Sequence, residues 1–337
     1  MNQSRFSLLK QASKRFWPAG NASARRISYT NYFEGVLGTS LELQIVSTRH
    51  TSGSDAEKAL LAEIDRLDAI FNAYSPSSEL CRWQNTFGED IAVSPELAEV
   101  LADAEAWRKS THGAFNPAVE GFTRFWKAIE KEGVAPSAHQ LAVIGAHCQN
   151  PLWQVDKERG TARRLTQLPV TLNSIAKGFI IDRAATAASG VEGVEETLVN
   201  IGGDIRHIGK QKTRVAVADP YSDAENAVPL ARIELSNQGI ATSGNYRRGF
   251  SVGNRWFSHL IDPRSGAPVE DAVGVSVIAP CAATADVLAT AFSVLQPEES
   301  LALASAWSEV GVLLIDRNRQ CFTNEFWDAL VRNNHSA

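Results

Sequence analysis

The stretch 196-ETLVNIGGDIRHIGKQKTRVAVA-218 decides the fold class. "ETLVNI" (196–201) has the β-branched and apolar content of a strand, and the Gly202–Gly203 pair ends it. A dinucleotide-binding fingerprint needs a helix after its glycines, whereas another strand, "TRVAVA" (213–218), follows here. The glycine pair therefore reads as a turn, or as a point where backbone comes close to a ligand. Asp204 reads as turn chemistry.

Downstream, "ARIEL" (231–235), "RWFSHLI" (255–261) and "VGVSVIA" (273–279) continue the run of short strands. Helices are expected at 174–189 and 282–295 between them. Upstream, "GTSLELQIV" (38–46) alternates Leu41, Leu43 and Ile45 on one side, as a half-buried strand does. Residues 55–74 place Leu60, Ile64, Leu67, Ile70 and Phe71 at helical spacing. Residues 94–110 predict a second helix, with Ser94 at the N-cap and Pro95 in the first position. "KEGVAPSAHQ" (131–140) is turn-rich and is a candidate link between two lobes. Strands that follow one another, with helices interspersed, give an α+β (mixed α/β) protein rather than a regularly alternating sheet.

Composition narrows the function. A chain of 337 residues with 44% hydrophobic and 21% charged residues is an ordinary globular protein with room for a large core. A net charge of -5 and the lack of a basic, aromatic-interleaved block speak against nucleic acid. Cys81, Cys148, Cys281 and Cys321 are far apart, so no Cys-x-x-Cys metal or redox motif exists, and packed thiols are expected. Residues 1–28 read as a flexible basic arm, carrying Arg5, Lys10, Lys14, Arg15, Arg25 and Arg26 and no acid before residue 27. Residues 29–337 are expected to form one functional domain. The arm lacks an uninterrupted apolar core, no cysteine near the start supplies a lipid attachment point, and no run of 18 apolar residues occurs. No transmembrane segment is expected, and a cytoplasmic location is the expectation from sequence.

Four segments carry polar side chains bordered by glycine or alanine. In "TLNSIAKGFIIDRAATAA" (171–188), Ser174 is a candidate N-cap whose first-turn N–H groups suit an anion, with Lys177 one turn inside. A well-capped amphipathic helix explains the same residues. "IATSGNYRRGF" (240–250) offers hydroxyl and N–H donors to a phosphate, or is ordinary turn composition. In "CAATADVLATAFSVL" (281–295), Asp286 and Thr290 lie four apart on one helical face among alanines. That is a donor set for Mg²⁺ shared with substrate phosphates, or an acid favoured by the helix dipole. "SHLIDPRSG" (258–266) holds His259, a buried structural histidine or a base aimed at a substrate.

Taken in order, "VLGTSLEL", "NAYSPSSELCRW", "GAFNPAVEGFTRFW", "LNSIAKGFIID", "LVNIGGDI", "VADP", "IATSGNYRRGF", "SHLIDPRSGAPV" and "VIAPCAATADVLATAFSVL" resemble the ApbE family of FAD:protein FMN transferases, from about residue 35 to 328. The resemblance implies an ApbE-type fold with a T-fold-like core and an FAD cleft between lobes. It implies Mg²⁺ on the pyrophosphate of FAD, which is a substrate. A Thr or Ser hydroxyl of an acceptor protein attacks the FMN-side phosphorus, AMP leaves, and FMN stays on the protein. Acceptors of the family carry an Asp-Gly-[Ser/Ala]-[Thr/Ser]-Gly motif.

By matching motif, Asp286, Thr290 and Ser174 would hold Mg²⁺, and His259 would be the general base. Leu37, Tyr74, Ala114, Phe115, Asn116, Thr171, Lys177 and Ile261 would line FAD, while Ser243 and Gly244 border its phosphates. The chain departs from the family pattern at several points. Many members have Asp-Pro-Thr where Asn116-Pro117-Ala118 stands and Asp at Thr171; some have an acid at Ala289, and Asn is common at Gln84. Two alternatives use the same residues: an FAD pyrophosphatase releasing FMN and AMP, and a non-catalytic FAD-binding protein.

Overall fold

The computed structural model describes residues 7–8, 26–222, 228–244, 249–269 and 272–332. Most of the basic arm (1–6 and 9–25) and residues 245–248 of "IATSGNYRRGF" lie outside the described residues. Strands β1 (Ser7–Leu8), β2 (Ile27–Val36) and β3 (Thr39–Ser47) precede helix α1 (Ser52–Phe71). The short helix α2 (Glu79–Gln84), strand β4 (Asp90–Ala92) and helices α3 (Pro95–Ser110), α4 (Val119–Glu132) and α5 (Ala138–Gln149) follow. Strands β5 (Trp153–Asp156) and β6 (Thr161–Arg164) lead to α6 (Asn173–Ser189). A run of strands comes next: β7 (Val194–Ile201), β8 (Asp204–Ile208), β9 (Thr213–Val217), β10 (Ala231–Leu235), β11 (Gly239–Gly244), β12 (Gly249–Val252), β13 (Arg255–Ser258) and β14 (Ala272–Ala279). After it stand α7 (Ala282–Phe292), α8 (Pro297–Ala304), β15 (Gly311–Asp316), β16 (Cys321–Thr323) and α9 (Glu325–Arg332).

An antiparallel sheet in the order β1-β2-β3-β7-β8-β11-β14-β15-β16 forms the centre. Period-2 alternation sorts its side chains onto two faces. Leu41, Leu43, Ile45, Val199, Ala241, Val275, Val277, Val312 and Leu314 join the main core beneath α1, α6 and α7. Their sequence neighbours Leu198, Ile240, Ile278, Leu313 and Ile315 form a second cluster with the β9–β10 hairpin and Trp327 of α9. The three-stranded sheet β4-β6-β5 and helices α2 to α5 make the other part, and Trp83, Phe122, Trp126 and Trp153 join it to the main core. The architecture is α+β. All four cysteines are unpaired thiols. Among the described residues, no helix is long and apolar enough to cross a membrane.

The Gly202–Gly203 turn is a two-residue hairpin: Ile201 pairs with Asp204 across it, and both glycines have positive φ (61° and 95°). That is the conformation such a turn requires and glycine adopts freely. Ser94 caps α3, accepting from the N–H of Leu97 at 3.2 Å. Some sequence expectations about element ends change. Ile27 and Ser28, assigned to the arm, already belong to β2, whose partly polar run "ISYTNYFEGV" hides its strand character. Strand β13 stops at Ser258, and Ile261 keeps only an isolated bridge to Pro268. Leu172 rather than Ser174 stands at the N-cap of α6, and Ser174 is its second residue.

Candidate active site

A cleft of ≈ 1270 Å³ opens between the central sheet with its helices and the α4 region. Its walls include His259, Leu37, Tyr74, Ala114, Phe115, Asn116, Thr171, Lys177, Ser243, Gly244, Ile261, Ser174, Asp286 and Thr290, every residue that the motif match places at the metal, the base or the FAD. They arrive from segments spread along most of the chain. Asp65 and Asp68 of α1 also face it, which the sequence reading missed by following only the apolar stripe of that helix.

The β2–β3 turn supplies Leu37. Val36 pairs with Thr39, and Leu37 and Gly38 both have positive φ (49° and 78°). A non-glycine residue in this region costs about 1–2 kcal/mol, so packing holds Leu37 there at the cleft wall. Tyr74, after α1, is 88% exposed at the cleft wall, and its N–H donates to Asn72 Oδ1 at 2.9 Å.

Helix α6 contributes Ser174 and Lys177. Thr171 Oγ1 accepts from the Asn173 N–H at 3.2 Å, and the Leu172 carbonyl accepts from Ile175 and Ala176 at 3.0 and 2.7 Å. Those first-turn N–H groups are therefore already used, and positive charge at this wall comes from the Lys177 ammonium instead. Lys177 Nζ pairs with Asp204 Oδ2. Asp204 is buried at the start of β8, not an exposed turn residue: the tight glycine hairpin turns its side chain inward. Burial pushes the Asp204 pKa up, against the Lys177 charge and the Thr242 N–H. Burial works against the charge on Lys177, but the Asp204 and Asp286 carboxylates outweigh it, and its pKa stands above the usual lysine value.

Helix α7 presents Asp286 and, one turn on, Thr290. Burial pushes the Asp286 pKa up to about 8; the Asp204 carboxylate adds to this, while Lys177 and the Gly178 N–H oppose it. Asp286 Oδ2 is buried without a hydrogen-bond partner. An orphaned carboxylate oxygen is costly to bury, and a hard cation is the partner that suits it. Among the described residues, no three His, Cys, Asp or Glu side chains cluster as a metal cage. One carboxylate and one hydroxyl beside space for phosphate is nonetheless the donor set Mg²⁺ takes, with water completing its shell.

His259 follows β13 in a bend, half-buried on the cleft wall. The turn behind it is tightly built. Asp262 Oδ1 accepts from the Arg264 N–H at 2.9 Å, and its carboxylate also holds the Arg264 guanidinium. Gly266 has φ +73°, and its carbonyl accepts from Trp126 Nε1 at 3.0 Å. Asp262 is thus committed to the turn.

Two departures from the family pattern have local explanations. Asn116 is buried, donating through Nδ2 to the Cys148 carbonyl at 3.1 Å and accepting from the Ala118 N–H at 3.0 Å. A carboxylate could not make the first bond. Ala289 lies in the core at 1% exposure, away from the cleft wall.

Comparison with known proteins agrees with this architecture. A profile described as the ApbE family matches residues 37–314. The chain belongs to the ApbE family. A Haemophilus influenzae protein named FAD:protein FMN transferase is 33% identical over 296 residues, covering 83% of each chain. A Vibrio cholerae protein of the same name is 31% identical, covering 83% of this chain and 85% of its own. An ApbE protein from Thermotoga maritima superposes with a TM-score of 0.76 at 24% identity, covering 91% of this chain and all of the other. The flavinyl transferase ApbE of Pseudomonas stutzeri gives 0.74 at 22% identity, covering 93% of this chain and all of its own. These two structural matches speak for the ApbE fold.

Proposed function

We propose that this ApbE-family chain transfers FMN from FAD to a Thr or Ser hydroxyl of an acceptor protein and releases AMP. The observation that carries the reading is the convergence of His259, Lys177, Asp286 and Thr290 on one large cleft. The names of the related proteins point the same way.

The pyrophosphate of FAD repels an incoming nucleophile and must shed negative charge onto its leaving half. Lys177 supplies a fixed cation, held in place by Asp204. Asp286 and Thr290, with Ser174 across from them on α6, would hold Mg²⁺. When bound, that ion supplies Lewis-acid charge to the phosphate oxygens. The acceptor hydroxyl oxygen forms a bond to the FMN-side phosphorus, and the bond from that phosphorus to the bridging oxygen breaks. The electron pair departs on the phosphate of AMP. His259 takes the hydroxyl proton, the part a neutral imidazole plays as a general base. Leu37, Phe115 and Ile261 give the flavin apolar wall, and the exposed Tyr74 ring offers a face to it.

His259→Ala tests this assignment. Transfer is expected to fall about 10²- to 10⁴-fold, the usual contribution of a positioned base, with FAD affinity largely kept. Transfer at the parental rate would remove His259 from the mechanism.

A further inference from the structure

The hydrogen bonds that join α6 to α7 involve a residue with no contact to the cleft. Helix α7 begins after Cys281, which gives it no side-chain cap. Asp182, two turns along α6 from Ser174, takes over that role. Its Oδ1 accepts from the Ala282 N–H and its Oδ2 from the Ala283 N–H, both at 2.9 Å. A carboxylate at a helix N-terminus satisfies two orphan donors and meets the positive end of the dipole. Arg206 Nε, 3.3 Å from Oδ1, braces the carboxylate from β8.

The seat is shaped for close approach. A Cβ on Gly178 of α6 would stand 2.5 Å from Ala283 Cα, and one on Gly239 of β11 would stand 2.6 Å from the Ala282 nitrogen. The α7 N-terminus is thus pressed between two glycines and tied by one carboxylate. Asp286 lies one turn beyond the tie and Thr290 two turns beyond. On the α6 side, Lys177 and Gly178 face Asp286. Asp182 itself borders a separate hollow of ≈ 340 Å³ and not the cleft proposed to hold FAD.

We propose that Asp182 is a positioning residue of the transfer site: its carboxylate fixes α7 against α6 and thereby sets Asp286 and Thr290 relative to Ser174. This rests on the reading of Asp286 and Thr290 as metal ligands. Partners that orient metal ligands typically contribute about 10- to 100-fold in metal affinity.

The test is a Mn²⁺ titration of the whole protein, followed by electron paramagnetic resonance, with Mg²⁺ as competitor. Asp182→Ala is expected to raise the Mn²⁺ dissociation constant about 10- to 100-fold. Asp182→Asn, which keeps one acceptor oxygen and the side-chain volume, is expected to raise it by less. FAD affinity stays near parental, and saturating Mg²⁺ returns the transfer rate. Should the alanine variant fail to fold, the asparagine variant decides. Folded variants that bind Mn²⁺ as the parent does, or that lose thermal stability alone, would overturn the proposal. Asp286→Asn in parallel separates the two levels: a parent whose Mn²⁺ binding survives that change refutes the metal-site reading beneath it.

Discussion

Asp286 shows what a single residue reveals about this site. Its carboxyl is buried, pushed up to about 8 first by desolvation and then by Asp204, with one oxygen unpartnered. A carboxyl whose folded pKa lies above its unfolded value keeps a proton that the unfolded chain has released. Its cost to the metal-free protein therefore grows as pH rises from about 4 and is complete above about 8. Asp286→Asn should make the metal-free protein more resistant to urea than the parent at pH 8. The advantage should shrink toward pH 4, while Mg²⁺ no longer stabilises the variant. Equal urea midpoints at every pH would contradict this account of the Asp286 environment. The sequence made Asp286 and Thr290 visible through their four-residue spacing. It misread Asp204, because composition marks a turn after Gly-Gly but not which way the next side chain points. Asn116 was legible as a departure, though its reason, the Cys148 carbonyl 3.1 Å away, is a contact across 32 residues.

At the scale of elements, "SHLIDPRSG" works as one unit. Asp262 and Arg264 close the turn, the Trp126 indole holds the Gly266 carbonyl, and the chain just before the turn delivers His259 and Ile261 to the cleft. Gly266 is the point where this unit meets α4: its φ is +73°, and a Cβ there would lie 2.1 Å from the buried Phe122 ring. Gly266→Ala combines a left-handed backbone penalty of about 1 kcal/mol with overpacking of about 1–3 kcal/mol. Urea denaturation should show a loss of about 2–4 kcal/mol, and an unchanged midpoint would mean that the turn does not bear on Phe122. Element identity was largely readable wherever one face meets the core, as in α1, α3 and β3. Ser174 was misplaced at the α6 cap because Thr171 and Leu172, neither an obvious signal, take the first N–H groups.

For the whole molecule, the cleft is a property of the fold and not of any segment, since its wall runs from Gly35 to Val294 in sequence. The run of short strands was enough to indicate α+β, because the two faces of the sheet each bury a distinct apolar set. The order of strands in the sheet, in which β3 lies beside β7, was beyond local pattern. The proposed work of this cleft is to move FMN from FAD to a protein. The most direct measurement incubates the protein with FAD, with and without Mg²⁺, and with a small acceptor domain bearing Asp-Gly-[Ser/Ala]-[Thr/Ser]-Gly, reading intact acceptor mass and free nucleotides together. Each acceptor should gain one FMN with release of AMP, both dependent on Mg²⁺. An unmodified acceptor beside intact FAD, or beside free FMN and AMP, would refute the proposed transfer.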